Sequence, residues 1–110
     1  MTLLDSTQTD ELTRLTLVVL FYNQEAFAEQ AVRGALAQTY SPLEIVLSDD
    51  ASSDETFAVV QRTVDGYDGP HQVILNRNTI NLGLTGNLNR AMELASGEII
   101  VFTGGDDISL

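Results

Sequence analysis

Cysteine, tryptophan and lysine do not occur in this chain, and histidine occurs once, as His71. Without cysteine there is no disulfide scaffold, no cysteine-ligated zinc and no thiol nucleophile. Without lysine there is no phosphate-loop lysine and no Schiff base. One histidine makes no multi-histidine metal site, and no serine is placed to complete a triad with it. Cations are scarce as well: five arginines stand against 16 Asp and Glu, a formal net charge of −11. That balance argues against duplex DNA or RNA as a partner, because phosphate neutralisation dominates such binding. Long apolar runs are also missing. The longest, Leu15 to Tyr22, is interrupted by Thr16 and far too short to span a bilayer. No cationic stretch precedes an apolar one at the N-terminus, so no signal peptide is read there. The expectation is a cytoplasmic protein, with membrane attachment of a longer form left open.

What is present is an apolar fraction of 44% in 110 residues, arranged in regular runs. That excludes disorder of the whole chain and allows one small domain. Residues 1–13 are polar and acidic and read as a flexible lead; residues 14–110 read as the folded part.

Leu17 to Phe21 is a continuous apolar run suited to a strand buried on both faces. Phe27, Ala31, Val32, Ala35 and Leu36 then recur at helical spacing. Tyr40-Ser41-Pro42 ends that helix, since the residue before proline is pushed out of the α region. Glu44 to Ser48 is a second strand. Ser52 with Glu55 matches a capping box for a helix carrying Phe57, Val60 and Val64 on one face. Asp65 to Pro70 is rich in turn residues. Val73 to Leu75 is a third strand, and Asn76 to Gly86 reads as a polar loop. Leu88, Ala91, Met92 and Ala95 mark a third helix, with Gly97 as its left-handed cap. Glu98 to Thr103 is a fourth strand. The order β-α-β-α-β-α-β predicts an α/β fold, Rossmann-like, in three layers around a mainly parallel sheet.

Ligands of such sheets bind beyond the carboxyl ends of the strands. Two acidic pairs fall there, Asp49-Asp50 and Asp106-Asp107. Adjacent carboxylates repel unless a cation or hydrogen-bond donors compensate. No lysine is available, and a hard divalent cation such as Mg²⁺ suits the task, bridging carboxylate to substrate phosphate. Each pair taken alone also fits a turn or a helix cap. Tyr22, where a strand becomes a loop, suits stacking on a base or an ordinary strand end. Gly83 and Gly86 give permissive backbone, for a ligand or for a tight turn. Asn89 lies within the third helix, placed either to hydrogen-bond the ligand loop or on an exposed surface. His71 is assigned no role.

Taken in order, these segments resemble the start of family 2 glycosyltransferases, which have the GT-A fold. Leu17 to Glu25 is similar to the family's opening strand and its Tyr-Asn-x-Glu turn. Gln38-Thr39-Tyr40 with Leu43 to Val46 resembles its Gln-Thr-Tyr and second strand. Asp49 to Thr56 is close to its Asp-Asp-x-Ser-x-Asp-x-Thr signature. Asn81-Leu82-Gly83-Leu84 with Asn89 matches its Asn-x-Gly loop and helix, and Ser96 to Ile100 leads into the strand before its Asp-x-Asp motif. The resemblance implies a nucleotide-sugar donor, most commonly a UDP-sugar, and a saccharide or lipid-linked acceptor. It implies that Tyr22 stacks near the donor base, with Leu20 and Phe21 contributing backbone. Asp50 accepts a hydrogen bond from the base, Asp49 supports that turn, Glu25 lies near the same pocket, and Gly83 lets the loop approach the nucleotide. Asp106 falls on the second Asp of Asp-x-Asp and, with Asp107, is implied to hold Mg²⁺ or Mn²⁺ on the diphosphate.

The chain departs from the family pattern in two places and in length. Gly104 replaces the first Asp of Asp-x-Asp, and Leu20 replaces a common proline. The sequence stops at Leu110, just after the metal motif, so the resemblance implies the donor-binding part of a longer, inverting enzyme without its acceptor half or catalytic base. Such a part is expected to give no useful turnover alone and, with an edge or an apolar face uncovered, either to self-associate or to be marginally stable. The alternative is a non-catalytic Rossmann-like module that binds a nucleotide or a partner, which Gly104 favours. A phosphoacceptor receiver domain is disfavoured by the missing lysine.

Overall fold

The computed structural model describes residues 13–104. Of the expected lead at residues 1–13 all but Thr13 lies outside them, as does the pair Asp106-Asp107. Four strands alternate with three helices: β1 (Leu15–Phe21), α1 (Glu25–Leu36), β2 (Leu43–Asp49), α2 (Thr56–Asp65), β3 (Gln72–Arg77), α3 (Gly83–Leu94) and β4 (Ile99–Gly104). All strands are parallel, in the order β3-β2-β1-β4. This is the expected α/β architecture.

The strand order dictates the layers. The chain steps from β1 to β2 to β3 in one direction, then returns to the far side of β1. Right-handed crossovers therefore put α1 and α2 on one face and α3 on the other. Side chains alternate to match. Leu17, Val19 and Phe21 of β1 and Ile45 and Leu47 of β2 pack under Ala28, Val32, Ala35 and Val60. Val18, Leu20 and Val46 point the other way, toward Ala91 of α3. The two central strands are thus apolar on both faces, which is why they read as unbroken runs.

Register aligns the strand ends. Phe21 pairs with Asp49, Asp49 with Arg77, and Leu20 with Gly104. The strand order reverses between β1 and β4, and a ligand crevice belongs outside the carboxyl ends of the strands beside that point.

Several local expectations are corrected. Phe27 and Met92 are exposed, and their neighbours Ala28 and Ala91 take the buried positions, since small residues let the helices approach the sheet. Phe57 is half-buried beneath the Arg77 guanidinium, 4.9 Å from its ring centre. The capping box does not form: α2 begins at Thr56, and the Ser52 side chain turns back to Asp49. Helix α3 begins at Gly83, inside the expected loop. It ends on an extended Ala95, so Gly97 is no left-handed cap. Gly97 is small for another reason. A Cβ there would lie 2.5 Å from Thr16 Oγ1 and 2.7 Å from Thr16 N.

That contact belongs to a polar cluster at the opposite end of the sheet from the strand C-termini. Glu44 is buried, and its carboxylate accepts from the Ser96 N–H and the Thr16 hydroxyl, each at 2.8 Å, and from the Ser96 hydroxyl at 3.0 Å. Arg14 adds an ion pair at 3.5 Å. Burial alone would raise the Glu44 carboxyl, but the Ser96 and Thr16 hydrogen bonds, with Arg14, outweigh it and hold it below its ordinary value. His71 is also buried, its ring stacked on Tyr67 and its Nε2 2.6 Å from the Gln38 carbonyl oxygen.

Candidate nucleotide-sugar site

At the carboxyl ends of β1 and β2 two turns interlock. Asn23 takes a left-handed φ of 48°, which a short polar side chain tolerates. Its N–H donates to Ser52 Oγ at 2.9 Å, and its Oδ1 accepts from the Ser53 N–H at 2.8 Å. Ser52 in turn donates its N–H and hydroxyl to the two oxygens of Asp49, at 2.9 and 2.6 Å. The Gln24 N–H donates to Thr56 Oγ1 at 2.8 Å, and Asp54 accepts from the Thr56 N–H and hydroxyl. Burial would raise the Asp54 carboxyl, but those Thr56 bonds and the Glu25 N–H bring it below the usual range.

Asp50 connects these turns to the other face of the sheet. Its N–H donates to the Phe21 carbonyl at 2.9 Å, which sets it beside the end of β1. Its Oδ1 accepts from the Leu82 N–H at 2.8 Å and from Asn78 Nδ2 at 3.0 Å, and its Oδ2 from the Gly83 N–H at 2.9 Å. A carboxylate from 32 residues upstream thus caps α3. It supplies acceptors for otherwise orphan N–H groups and negative charge at the positive end of the helix dipole.

This overturns part of the electrostatic reasoning from sequence. The Asp49-Asp50 pair is compensated by donors of its own chain, with the Arg77 guanidinium 4.0 Å from Asp49, and needs no metal ion for that. Among the described residues no cluster of three or more His, Cys, Asp or Glu is placed to hold a metal.

The predicted site residues sort into four groups. Leu20, Phe21, Tyr22, Asp50 and Gly83 line one open cleft of about 400 Å³ at the strand ends. Tyr22 is 47% exposed there, and Gly83, at φ +83°, has open space where a Cβ would lie. Asp49 sits beneath the cleft, fully committed to its turn. Glu25 does not line it: its carboxylate accepts from the Glu55 N–H at 3.3 Å, tying the start of α1 to the start of α2. Asp106 and Asp107 lie outside the described residues. A larger groove of about 580 Å³ between α1 and α2, flanked by Arg33 and Arg62, is at the far ends of those helices.

Sequence reasoning missed Gln24, Leu84 and Asn87, which also line the cleft. Asn89 is exposed, and the buried asparagine of α3 is Asn87. The signal was available: Asn87 lies four residues before the buried Ala91, so it falls on the apolar stripe, where a polar side chain must find partners.

The chain is similar to known proteins along most of its length. The family model described as glycosyl transferase family 2 matches residues 16–110. A Campylobacter jejuni GalNAc(5)-diNAcBac-PP-undecaprenol beta-1,3-glucosyltransferase is 36% identical over 94 residues, 86% of this chain and 30% of that protein. An Escherichia coli UDP-Glc:alpha-D-GlcNAc-diphosphoundecaprenol beta-1,3-glucosyltransferase, WfaP, is 30% identical over 93 residues, 84% of this chain and 35% of its own length. The chain therefore spans about a third of the length of these curated relatives. Among solved structures, the mannosyltransferase PcManGT from Pyrobaculum calidifontis, in complex with GDP-Man and Mn²⁺, superposes with a TM-score of 0.79 at 32% identity, covering 86% of this chain and 28% of that one. The fold shared with PcManGT and a family match over nearly all the described residues lead to one assignment: the chain belongs to glycosyl transferase family 2.

Proposed function

We propose that this chain forms the donor-binding part of an inverting glycosyltransferase. Its cleft seats the base of a nucleotide-sugar, a UDP-sugar first among them. The observation that carries this reading is the Asp50 carboxylate, held at the cleft by three donors of its own chain. A carboxylate has about four acceptor sites. The remaining one suits a base that presents a ring N–H. Uracil, thymine and guanine have one; neutral cytosine and adenine do not. Tyr22 supplies a half-exposed ring for stacking, and the open approach at Gly83 admits the nucleotide close to the backbone.

In the reaction proposed, an acceptor hydroxyl attacks the anomeric carbon. The new C–O bond forms as the bond to the nucleoside diphosphate breaks, with inversion. Asp50 is the one carboxylate lining the cleft among the described residues, and it is committed to α3. The acceptor's proton is therefore assigned to none of them. Gly104 pairs with Leu20 in the sheet, so the chain leaves β4 beside the cleft, and Asp106 follows two residues later. Asp106 and Asp107 would hold Mg²⁺ or Mn²⁺, which neutralises charge on the departing diphosphate when bound. PcManGT was solved with Mn²⁺, which supports a divalent ion here. Both named glucosyltransferases have undecaprenol-diphosphate-linked acceptors in their names, which supports a lipid-linked saccharide acceptor.

Calorimetric titration of UDP and GDP, with and without Mn²⁺, tests the donor site, with Asp106→Ala as control. The expected result is binding that requires Mn²⁺ and is lost in the variant. Nucleotide binding indifferent to both metal and Asp106 would instead favour a non-catalytic module, the reading that Gly104 supports.

A further inference from the structure

We infer that Asn87 is a positioning residue for base recognition: through Asn78 it fixes the direction of the Asp50 carboxylate against the start of α3. The inference rests on the donor-binding reading above.

Asn87 is 2% exposed and meets the ends of two strands. Its Oδ1 accepts from the Ser48 hydroxyl at 2.6 Å and from Asn78 Nδ2 at 3.0 Å, and its Nδ2 donates to the Ser48 carbonyl at 3.1 Å. Asn76 Nδ2 donates to Ser48 Oγ at 2.9 Å and to Asn78 Oδ1 at 3.0 Å. Ser48, Asn76, Asn78 and Asn87 therefore close a ring of hydrogen bonds.

The ring leaves no freedom in how the amides point. The Ser48 carbonyl requires the Asn87 amide nitrogen, so Asn87 Oδ1 must face Ser48 Oγ and Asn78. Asn78 Oδ1 receives Asn76, so its nitrogen must face Asn87 and Asp50. Reversing any one amide would set two oxygens, or two N–H groups, against each other in a buried space. Asn78 Nδ2 thus forks between Asn87 Oδ1 and Asp50 Oδ1, both at 3.0 Å. Leu82 and Gly83 hold the Asp50 carboxylate from the helix side, and Asn78 holds it from the strand side. With those three directions fixed, the direction left for the base is fixed too. Asn87 itself need not touch the base.

Removing the Asn87 amide frees Asn78 and loosens Asp50, and it alters neither Asp106 nor Asp107, the residues proposed above to hold the metal on the diphosphate. The test compares UDP with inorganic pyrophosphate, each in Mn²⁺, for the parent chain and for Asn87→Leu, which keeps the branched shape, at a larger volume, but not the polar atoms. UDP affinity is expected to fall roughly tenfold and pyrophosphate affinity to stay within about twofold. Equal losses for both ligands, or unchanged UDP affinity, would overturn the proposal. Ser48→Ala removes one hydroxyl from the ring with little risk to folding. It is expected to act in the same direction, and a UDP affinity equal to the parent's would count against the ring. Amide exchange followed by NMR requires no ligand. In Asn87→Leu the Leu82 and Gly83 amides are expected to exchange faster while those of Ala31 and Val32 in α1 do not change. Unchanged Leu82 and Gly83 exchange would refute the positioning role. Failure of the unaltered chain to bind UDP would instead count against the donor reading, and the exchange result would still decide the role of Asn87.

Discussion

At the scale of single residues, the site is built from side chains that satisfy backbone groups far away in sequence. Asp50 caps a helix that begins 33 residues later, and Ser52 holds a turn in the preceding β-α unit. Tyr22, Asp50 and Gly83 were legible because each has an unusual place in the pattern: an aromatic at a strand end, an acid at the next, a glycine before a helix. Asn87 showed only its place on the apolar stripe of α3; the groups it meets, like the Thr56 hydroxyl that the Gln24 N–H meets, are ones that only the folded chain brings near. Holding Asp50 in place has a local cost. The next residue, Ala51, adopts φ +60°, a left-handed conformation disfavoured for a residue with a Cβ by about 1–2 kcal/mol. Ala51→Gly relieves that strain at some expense in unfolded-state entropy. It is expected to raise stability by up to about 1 kcal/mol in urea denaturation, and a fall in stability would show that the Ala51 methyl contributes packing that outweighs the strain.

At the scale of elements, the strands were easier to read than the helix ends. A run such as Leu17 to Phe21 is apolar on both faces because helices cover both, and nothing outside the run is needed to recognise it. Helix starts depend on where capping groups come from. Ser52 and Glu55 fit a local capping pattern, yet Asp49 captures the Ser52 hydroxyl and α2 starts later. The start of α3 was read as loop because Gly83, Gly86 and Asn87 are weak helix formers, and the cap that stabilises it comes from β2. Glu44 similarly joins the first residues of β1 and β2 to the segment before β4. Its carboxyl is held below its ordinary value of 4.5, so its contribution to stability is full above that pH and is lost as pH falls through the lower, folded value. Glu44→Gln is expected to lower stability at pH 7 by about 1–3 kcal/mol, since it leaves donors unmatched in a buried cluster. The gap to the parent should narrow in denaturation curves taken below pH 4.5. A gap that is constant with pH would mean that the charge itself contributes nothing.

At the scale of the whole molecule, the β3-β2-β1-β4 order places the crevice, and the order of elements in the sequence was enough to predict a parallel three-layer fold. Repulsion alone pointed to a cation at either acidic pair, Asp49-Asp50 or Asp106-Asp107, and the resemblance gave the base to Asp50 and the metal to Asp106 and Asp107. What the sequence could not show is that Asp49 and Asp50 are satisfied by donors of their own chain. The central claim is that this satisfied carboxylate still reads the base, through its one remaining acceptor direction. The most direct measurement is the affinity of the chain for UDP against CDP in Mn²⁺. The two ligands share ribose and diphosphate, and they differ in whether N3 carries a proton toward Asp50. UDP is expected to bind at least roughly tenfold more tightly, the value of one charge-assisted hydrogen bond gained and one repulsion avoided. Equal affinity for the two would contradict the account, because Asp50 would then be a helix cap and nothing more.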